Sequence, residues 1–215
     1  MNFDNFKKIL PKIAKIPLPG IASQLKMAPA MRQKELEKME NRMKSARKSA
    51  VMALFYPNSN HETTLVLILR KTYKGVHSNQ VGFPGGQVDP EDLNFTATAL
   101  RETEEEVGVD RASIEVIREI TSTYIPPSNF TVKPFIGIVQ QTPMFVPQPS
   151  EVESIIEVSL KDLLAEAAFI EKELTTSYAT TVNVPAFYLN EYVVWGATAM
   201  MLSEVKDIIS AAISN

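Results

Sequence analysis

The chain contains no cysteine, so disulfides, thiolate metal sites and cysteine nucleophiles are excluded. That lack is compatible with a reducing interior. There is no signal-peptide apolar core and no span of about twenty apolar residues, which predicts a soluble, cytoplasmic chain without a membrane segment. Histidine is scarce: only His61 and His77 occur, and both read as surface residues rather than catalysts. There is one tryptophan, Trp195, expected to pack the closing helix on the sheet. No internal repeat or low-complexity tract appears. What remains, 215 residues with 45% hydrophobic and 22% charged side chains, is ordinary globular composition, enough for one sizeable core or one domain with an added segment.

The formal net charge of −3 conceals a division. Residues 1–48 carry twelve Lys/Arg against four Asp/Glu, whereas the remainder carries ten against twenty-one. A basic arm can meet nucleic acid or an anionic membrane. With a mildly acidic whole and no nucleic-acid motif, the expectation is no nucleic acid and no membrane, the arm docking on its own acidic body or on a second subunit of a homodimer. Residues 1–48 therefore read as a basic, largely helical N-terminal extension, broken into short pieces by Pro11, Pro17, Pro19 and Pro29. Phe3, Phe6, Leu10 and Ile13 recur at helical spacing, although Pro11 argues against one unbroken helix. Leu36, Met39 and Met43 form a second such face near residues 32–47.

Residues 49–215 read as the main domain. "SAVMALFY" (49–56) and "TTLVLILR" (63–70) have the composition of buried strands. Further strands are expected in "SIEVIREITSTY", "FTVKPFIGIVQQ", "EVESIIEVSL" and "NVPAFYL", a short helix in "KDLLAEAAF", and an amphipathic closing helix over 195–214. Strands with few interspersed helices predict an α/β (α+β) sandwich around a mixed sheet.

One segment departs from ordinary helix chemistry. "FTATALRETEEEVG" (95–108) has Ala97, Leu100, Thr103 and Val107 on one side and Gly108 as a left-handed cap. It also gathers Glu102, Glu104, Glu105 and Glu106 near the C-terminal end, where the macrodipole disfavours negative charge. At 100° per residue, Glu102, Glu105 and Glu106 fall within an arc of about 100° and Glu104 points elsewhere. A solvated acidic face is the ordinary fate of such a run. A divalent cation is the alternative, because hard oxygen ligands suit Mg²⁺ or Mn²⁺ and would turn repulsion into attraction. Gly85 and Gly86, following Phe83-Pro84, allow a sharp turn and a close backbone approach, and Arg101 can brace a glutamate or the loop.

The stretch resembles the Nudix box, G-x5-E-x7-R-E-U-x-E-E-x-G-U, with U a bulky aliphatic. Residues 101–109, "RETEEEVGV", match the second half, with Thr103 at the first U position. Counting from Gly86, the acidic position falls on Asp92, and eight residues rather than seven separate it from Arg101. That variation resembles the coenzyme A diphosphatase branch, whose upstream signature maps onto "VLILRKTYKGVHSNQVGFPGG" (66–86). Arg70 and Phe83-Pro84-Gly85-Gly86 match it, whereas Ile68, Lys71, Gly75 and Asn79 stand where the branch prefers Thr, Ser, Arg and Gly.

The resemblance implies a Nudix-type α/β/α sandwich with a central mixed sheet and a loop-helix-loop catalytic motif. It implies metal-dependent hydrolysis of a small-molecule nucleoside diphosphate, CoA or acyl-CoA foremost and ADP-ribose or a dinucleotide otherwise; a non-catalytic binding module would be expected to lose the carboxylates. In that reading Glu102 and Glu106 form the core metal pair for Mg²⁺ or Mn²⁺, with Glu105 a third ligand or the base. Arg101 orients a carboxylate. Glu151 and Glu153 are further candidates for the base. Arg70, Lys71 and Lys74 would meet substrate phosphates beside Phe83, Gly85 and Gly86. Asp89 and Pro90 read as a helix start, leaving Asp92 as a first-turn acid.

Overall fold

In a computed structural model of the chain, residues 1–29, 45–71, 79–176 and 179–214 are described. The longest strand of the main sheet, β1 (Arg47–Pro57), is buried from Ser49 onward, so both its faces are covered. It runs parallel to β7 (Phe130–Ile138) and antiparallel to β2 (Thr63–Arg70). The sheet is therefore mixed, with the order β3-β2-β1-β7-β5, where β3 is Val81–Gly82 and β5 is Glu115–Glu119. Three further strands attach to this path: β4 (Gly85–Gln87) to β1, β6 (Thr123–Ile125) to β7 and β8 (Val152–Ser159) to β2.

Alternation along β1 sorts its side chains into two cores. Ala50, Met52, Leu54 and Tyr56 pack with Ala99 and Val107 of helix α3 (Phe95–Val107). Val51, Ala53 and Phe55 pack on the other face with Leu202, Val205 and Ile209 of the closing helix. The expected α/β/α sandwich is thus present, with the acidic helix on one side of β1 and the closing helix on the other.

The amino-terminal segment packs into the second of these cores. Helix α1 (Phe3–Lys15) runs unbroken through Pro11, contrary to the sequence expectation. Proline removes one backbone bond and crowds the preceding turn, but Pro11 lies on the exposed face. Phe3, Phe6 and Ile13 are fully buried, and the Asn2 side chain caps the helix start at Asp4 N–H, 2.9 Å away. The helix stops at Ile16, ahead of Pro17. Helix α2 (Ile21–Leu25) follows. The Leu36, Met39 and Met43 face lies outside the described residues, and Arg47 opens β1.

Toward the C-terminus, "KDLLAEAAF" is only a single turn, α4 (Leu160–Leu164), capped by Ser159. Phe169 then opens β9 (Phe169–Thr176), which joins β10 (Ala179–Leu189) and β11 (Tyr192–Trp195) in a three-stranded sheet. The closing helix, α5 (Gly196–Ser214), starts one residue later than expected, so Trp195 ends a strand, half-buried.

Candidate functional site

The site begins where the Pro84 carbonyl accepts the Met52 N–H at 2.9 Å, bringing the glycine pair onto β1. Gly85 pairs with Val51 and Gly86 with Ala50. Gly85 has φ +148°, and a Cβ there would strike the Ala50 carbonyl and Val51 Cα. Only glycine fits so close to another backbone at that dihedral angle. A Cβ on Gly86 would land on the Glu102 carboxylate, so its absence makes the hollow in which that carboxylate lies.

Helix α3 starts at Asn94, whose side chain accepts the Ala97 N–H at 2.9 Å. The expected start at Asp89 and Pro90 is not the helix end: Asp89 instead accepts the Glu91 N–H at 2.9 Å in a turn. Gly108 closes the helix with φ 75°, as its sequence position predicts. The buried face is Thr98, Ala99, Thr103, Glu106 and Val107, one step around from the predicted one. Thr103 fits this face because its hydroxyl donates to the Ala99 carbonyl at 2.6 Å.

Three glutamates share the site but not an environment. Glu105 is half exposed, Glu102 is mostly covered and Glu106 is buried. Glu104 turns away to Arg111. Arg101 holds Glu102 and Glu105 together, Nη1 lying 2.9 Å from Glu102 Oε1 and 3.0 Å from Glu105 Oε2. Its other edge grips Asp92 with two bonds, Nε to Oδ1 at 3.0 Å and Nη2 to Oδ2 at 2.9 Å. Nη2 also donates to the Gln87 carbonyl at 3.2 Å, tying the loop to the helix. Asp92 is therefore Arg101's partner rather than a helix-start acid, and the arginine holds its carboxyl well below the usual range.

Glu106 is differently placed. Its Oε2 accepts the Gly85 N–H at 2.7 Å. Its Oε1 is buried without a hydrogen-bond donor, although Arg70 Nη1 stands 3.2 Å away as an ion pair. Burial dominates over that arginine and pushes the Glu106 carboxyl up to about 7, with Glu102 and Glu151 adding like charge. Glu102 is raised for the same first reason, burial, while Arg101 opposes and Glu105 and Glu151 add to the shift. Glu151, exposed at the foot of β8, is thus close enough for its charge to be felt at both carboxylates.

Of the other predicted residues, Arg70 donates to the Gly85 carbonyl at 2.7 Å, and Lys71 lies beside Glu151, its N–H donating to the Glu151 carbonyl at 2.9 Å. Phe83 is buried in the core, where its ring supports the loop and is shielded from a ligand. His61 is exposed in the β1–β2 connection, 3.1 Å from Asp4, and Glu153 is exposed on β8. Lys74 and His77 lie outside the described residues. Sequence reasoning missed the turn cap Asn94 and the closure of the helix end by the next loop, where Gln148 N–H donates to the Glu106 carbonyl at 3.0 Å. Asn94 had a readable signal, an Asx residue three before Ala97; the Gln148 contact had none.

Among the described residues, no three carboxylate or imidazole groups converge on one point as they stand. The donor set nevertheless fits a hard divalent cation: Glu102 and Glu106 are one helical turn apart, both are desolvated, and one buried oxygen lacks a donor.

The model of the NUDIX domain family matches residues 46–178, well over half of the chain. The uncharacterized Nudix hydrolase NudL of Yersinia pestis (strain Pestoides F) is 29% identical over 149 residues, covering 69% of this chain and 74% of its own. The NudL of Yersinia pseudotuberculosis serotype O:1b gives the same figures. Among solved structures, the Nudix hydrolase RenU of M. smegmatis superposes with a TM-score of 0.52 at 13% identity, over 77% of this chain and 87% of RenU. A MutT/nudix family protein from Enterococcus faecalis gives 0.50 at 17% identity, over 87% and 76%. Both likenesses concern the fold.

Proposed function

Because the chain belongs to the Nudix family of hydrolases, we infer that it cleaves the diphosphate linkage of a nucleoside diphosphate derivative, with CoA or acyl-CoA as the substrate and Mg²⁺ or Mn²⁺ as the ion. The observation that carries this reading is the buried Glu106 carboxylate with an unmet oxygen, one turn from Glu102 in its glycine hollow. Glu102 and Glu106 would hold the ion, with Glu105 free to swing in once released by Arg101. A bound divalent ion would supply neutralisation of the diphosphate and a more acidic water.

The chain's own residues do the rest. Arg101 holds the loop and the helix in register through Gln87 and Asp92, so the glycine backbone and the glutamates keep one spacing. Glu151 is exposed and within electrostatic reach of the two carboxylates, which suits a base accepting the proton of an attacking water. Lys71 beside it offers positive charge to the phosphates of a CoA-like substrate. The CoA preference rests on the sequence likeness of 66–86, above all Arg70 and the Phe83-Pro84-Gly85-Gly86 run. Product analysis with CoA, ADP-ribose and NADH side by side tests it: 3′,5′-ADP and 4′-phosphopantetheine should appear from CoA. AMP from ADP-ribose without 3′,5′-ADP from CoA would overturn the substrate choice, and no turnover of any would overturn the activity.

A further inference from the structure

Arg70, partly exposed, turns its guanidinium back onto the protein's own groups. The β2–β8 pairing slips between Leu69 and Arg70, and such a bulge re-aims the side chain next to it. Backbone bonds fix the slipped segment on both sides, Arg70 N–H to the Gln80 carbonyl at 3.1 Å and Lys71 N–H to the Glu151 carbonyl at 2.9 Å. The side chain then passes Gly82, where a Cβ would come 3.7 Å from Nε. Its two ends meet different partners: Nη2 bonds the Gly85 carbonyl at 2.7 Å, and Nη1 stands 3.2 Å from Glu106 Oε1. Since the Gly85 N–H bonds the other Glu106 oxygen at 2.7 Å, arginine, glycine peptide and glutamate form a closed ring.

Resting on the reading of Glu106 as a metal ligand, we propose that Arg70 is a positioning residue that neutralises Glu106 in the metal-free protein and yields that place to the incoming cation. A buried carboxylate without a counter-charge is strongly unfavourable, and arginine supplies one at any working pH. The contact is well suited to being given up. It is an ion pair without hydrogen-bond geometry, so an ion taking Oε1 breaks no hydrogen bond there. Meanwhile Nη2 keeps hold of the Gly85 carbonyl, and the loop need not move as the charge partner changes. This differs from a role in gripping substrate phosphate, which would leave the metal-free protein indifferent to the side chain.

Thermal melts of the full chain, in chelator and in saturating Mn²⁺, separate the two roles. Arg70→Ala should lower the metal-free midpoint by about 5–10 °C, as expected for stranding a buried charge in a domain of this size. Mn²⁺ should restore at least half of that loss. In a Glu106→Gln background the same substitution should cost less than half as much, and Arg70→Lys, which keeps charge but not the fork, should fall between. If Arg70→Ala does not fold, Arg70→Lys is read by the same comparison. A loss unchanged by Mn²⁺, a loss unchanged by Glu106→Gln, or no loss of midpoint at all would each overturn the proposal. No turnover is needed, so a wrong substrate leaves the result readable. A wild-type midpoint that Mn²⁺ does not shift would overturn the metal reading itself and this proposal with it.

Discussion

Among its described residues the protein buries two glutamates, on opposite sides of its sheet, and treats them in opposite ways. Glu204, on helix α5, is fully buried, and every approach to its carboxylate is answered. Thr121 donates to Oε1 from its hydroxyl at 2.6 Å and from its N–H at 3.3 Å, and Gln24 Nε2 donates to Oε2 at 2.9 Å. Gln24 is itself oriented by Thr123, whose hydroxyl donates to its Oε1 at 3.0 Å. Glu106 is just as deeply buried but has one donor, the Gly85 N–H, and an oxygen left unmet. A buried polar group is normally satisfied, so the first carboxylate is a bolt between α2, the β5–β6 connection and α5. The second has room for a ligand at its unmet oxygen, as the proposed metal reading requires.

Exchanging each glutamate for glutamine sharpens this contrast most. Glu106→Gln should lower turnover roughly 10²–10³-fold, the scale for losing one electrostatic contact to the reacting centre. Glu204→Gln should leave turnover intact and cost about 1–3 kcal/mol of stability, because an amide cannot accept from all three donors. Steady-state rates and denaturant melts on the same two preparations would show it; matching losses of rate at both positions would erase the distinction.

Next in size is the Asp92–Arg101 pair, which braces the open site. The Asp92 carboxyl is lowered in the folded protein, so its contribution is fully present above the ordinary aspartate range and is lost as pH falls toward its folded value. Asp92→Asn should therefore destabilise the protein at neutral pH and flatten the acid limb of its stability curve, as followed by circular dichroism. An unchanged acid limb would remove the brace from the account. The smallest effect is expected at Glu105, half exposed and paired only with Arg101 among the described residues. Glu105→Gln should reduce turnover less than Glu106→Gln does in a parallel assay; an equal or larger loss would move the proposed base from Glu151 to Glu105.

Local chemistry was the legible part of this molecule. The strand-forming runs at 49–56 and 63–70, the helix closing at Gly108 and the glycine pair could be read because each depends on neighbours in sequence. The arc of glutamates was also readable, since it follows from helical geometry alone. What depended on distant partners was not. Burial of Phe3, Phe6 and Ile13 outweighs the defect at Pro11. The Gln24–Glu204 bond spans 180 positions and leaves no local signal. Strand β9 carries Glu171, Lys172 and Glu173 in succession and shows no apolar alternation, so only its pairing with β10 makes it a strand. At the site, the different fates of Glu102, Glu105 and Glu106 came from the loops packed against the helix rather than from its spacing.

Binding of Mn²⁺ to wild type, Glu106→Gln and Glu204→Gln, followed by titration calorimetry without substrate, tests the central claim most directly. Wild type and Glu204→Gln should bind with matching affinity while Glu106→Gln loses it. Equal binding by all three would contradict the assignment of the unmet carboxylate to a cation.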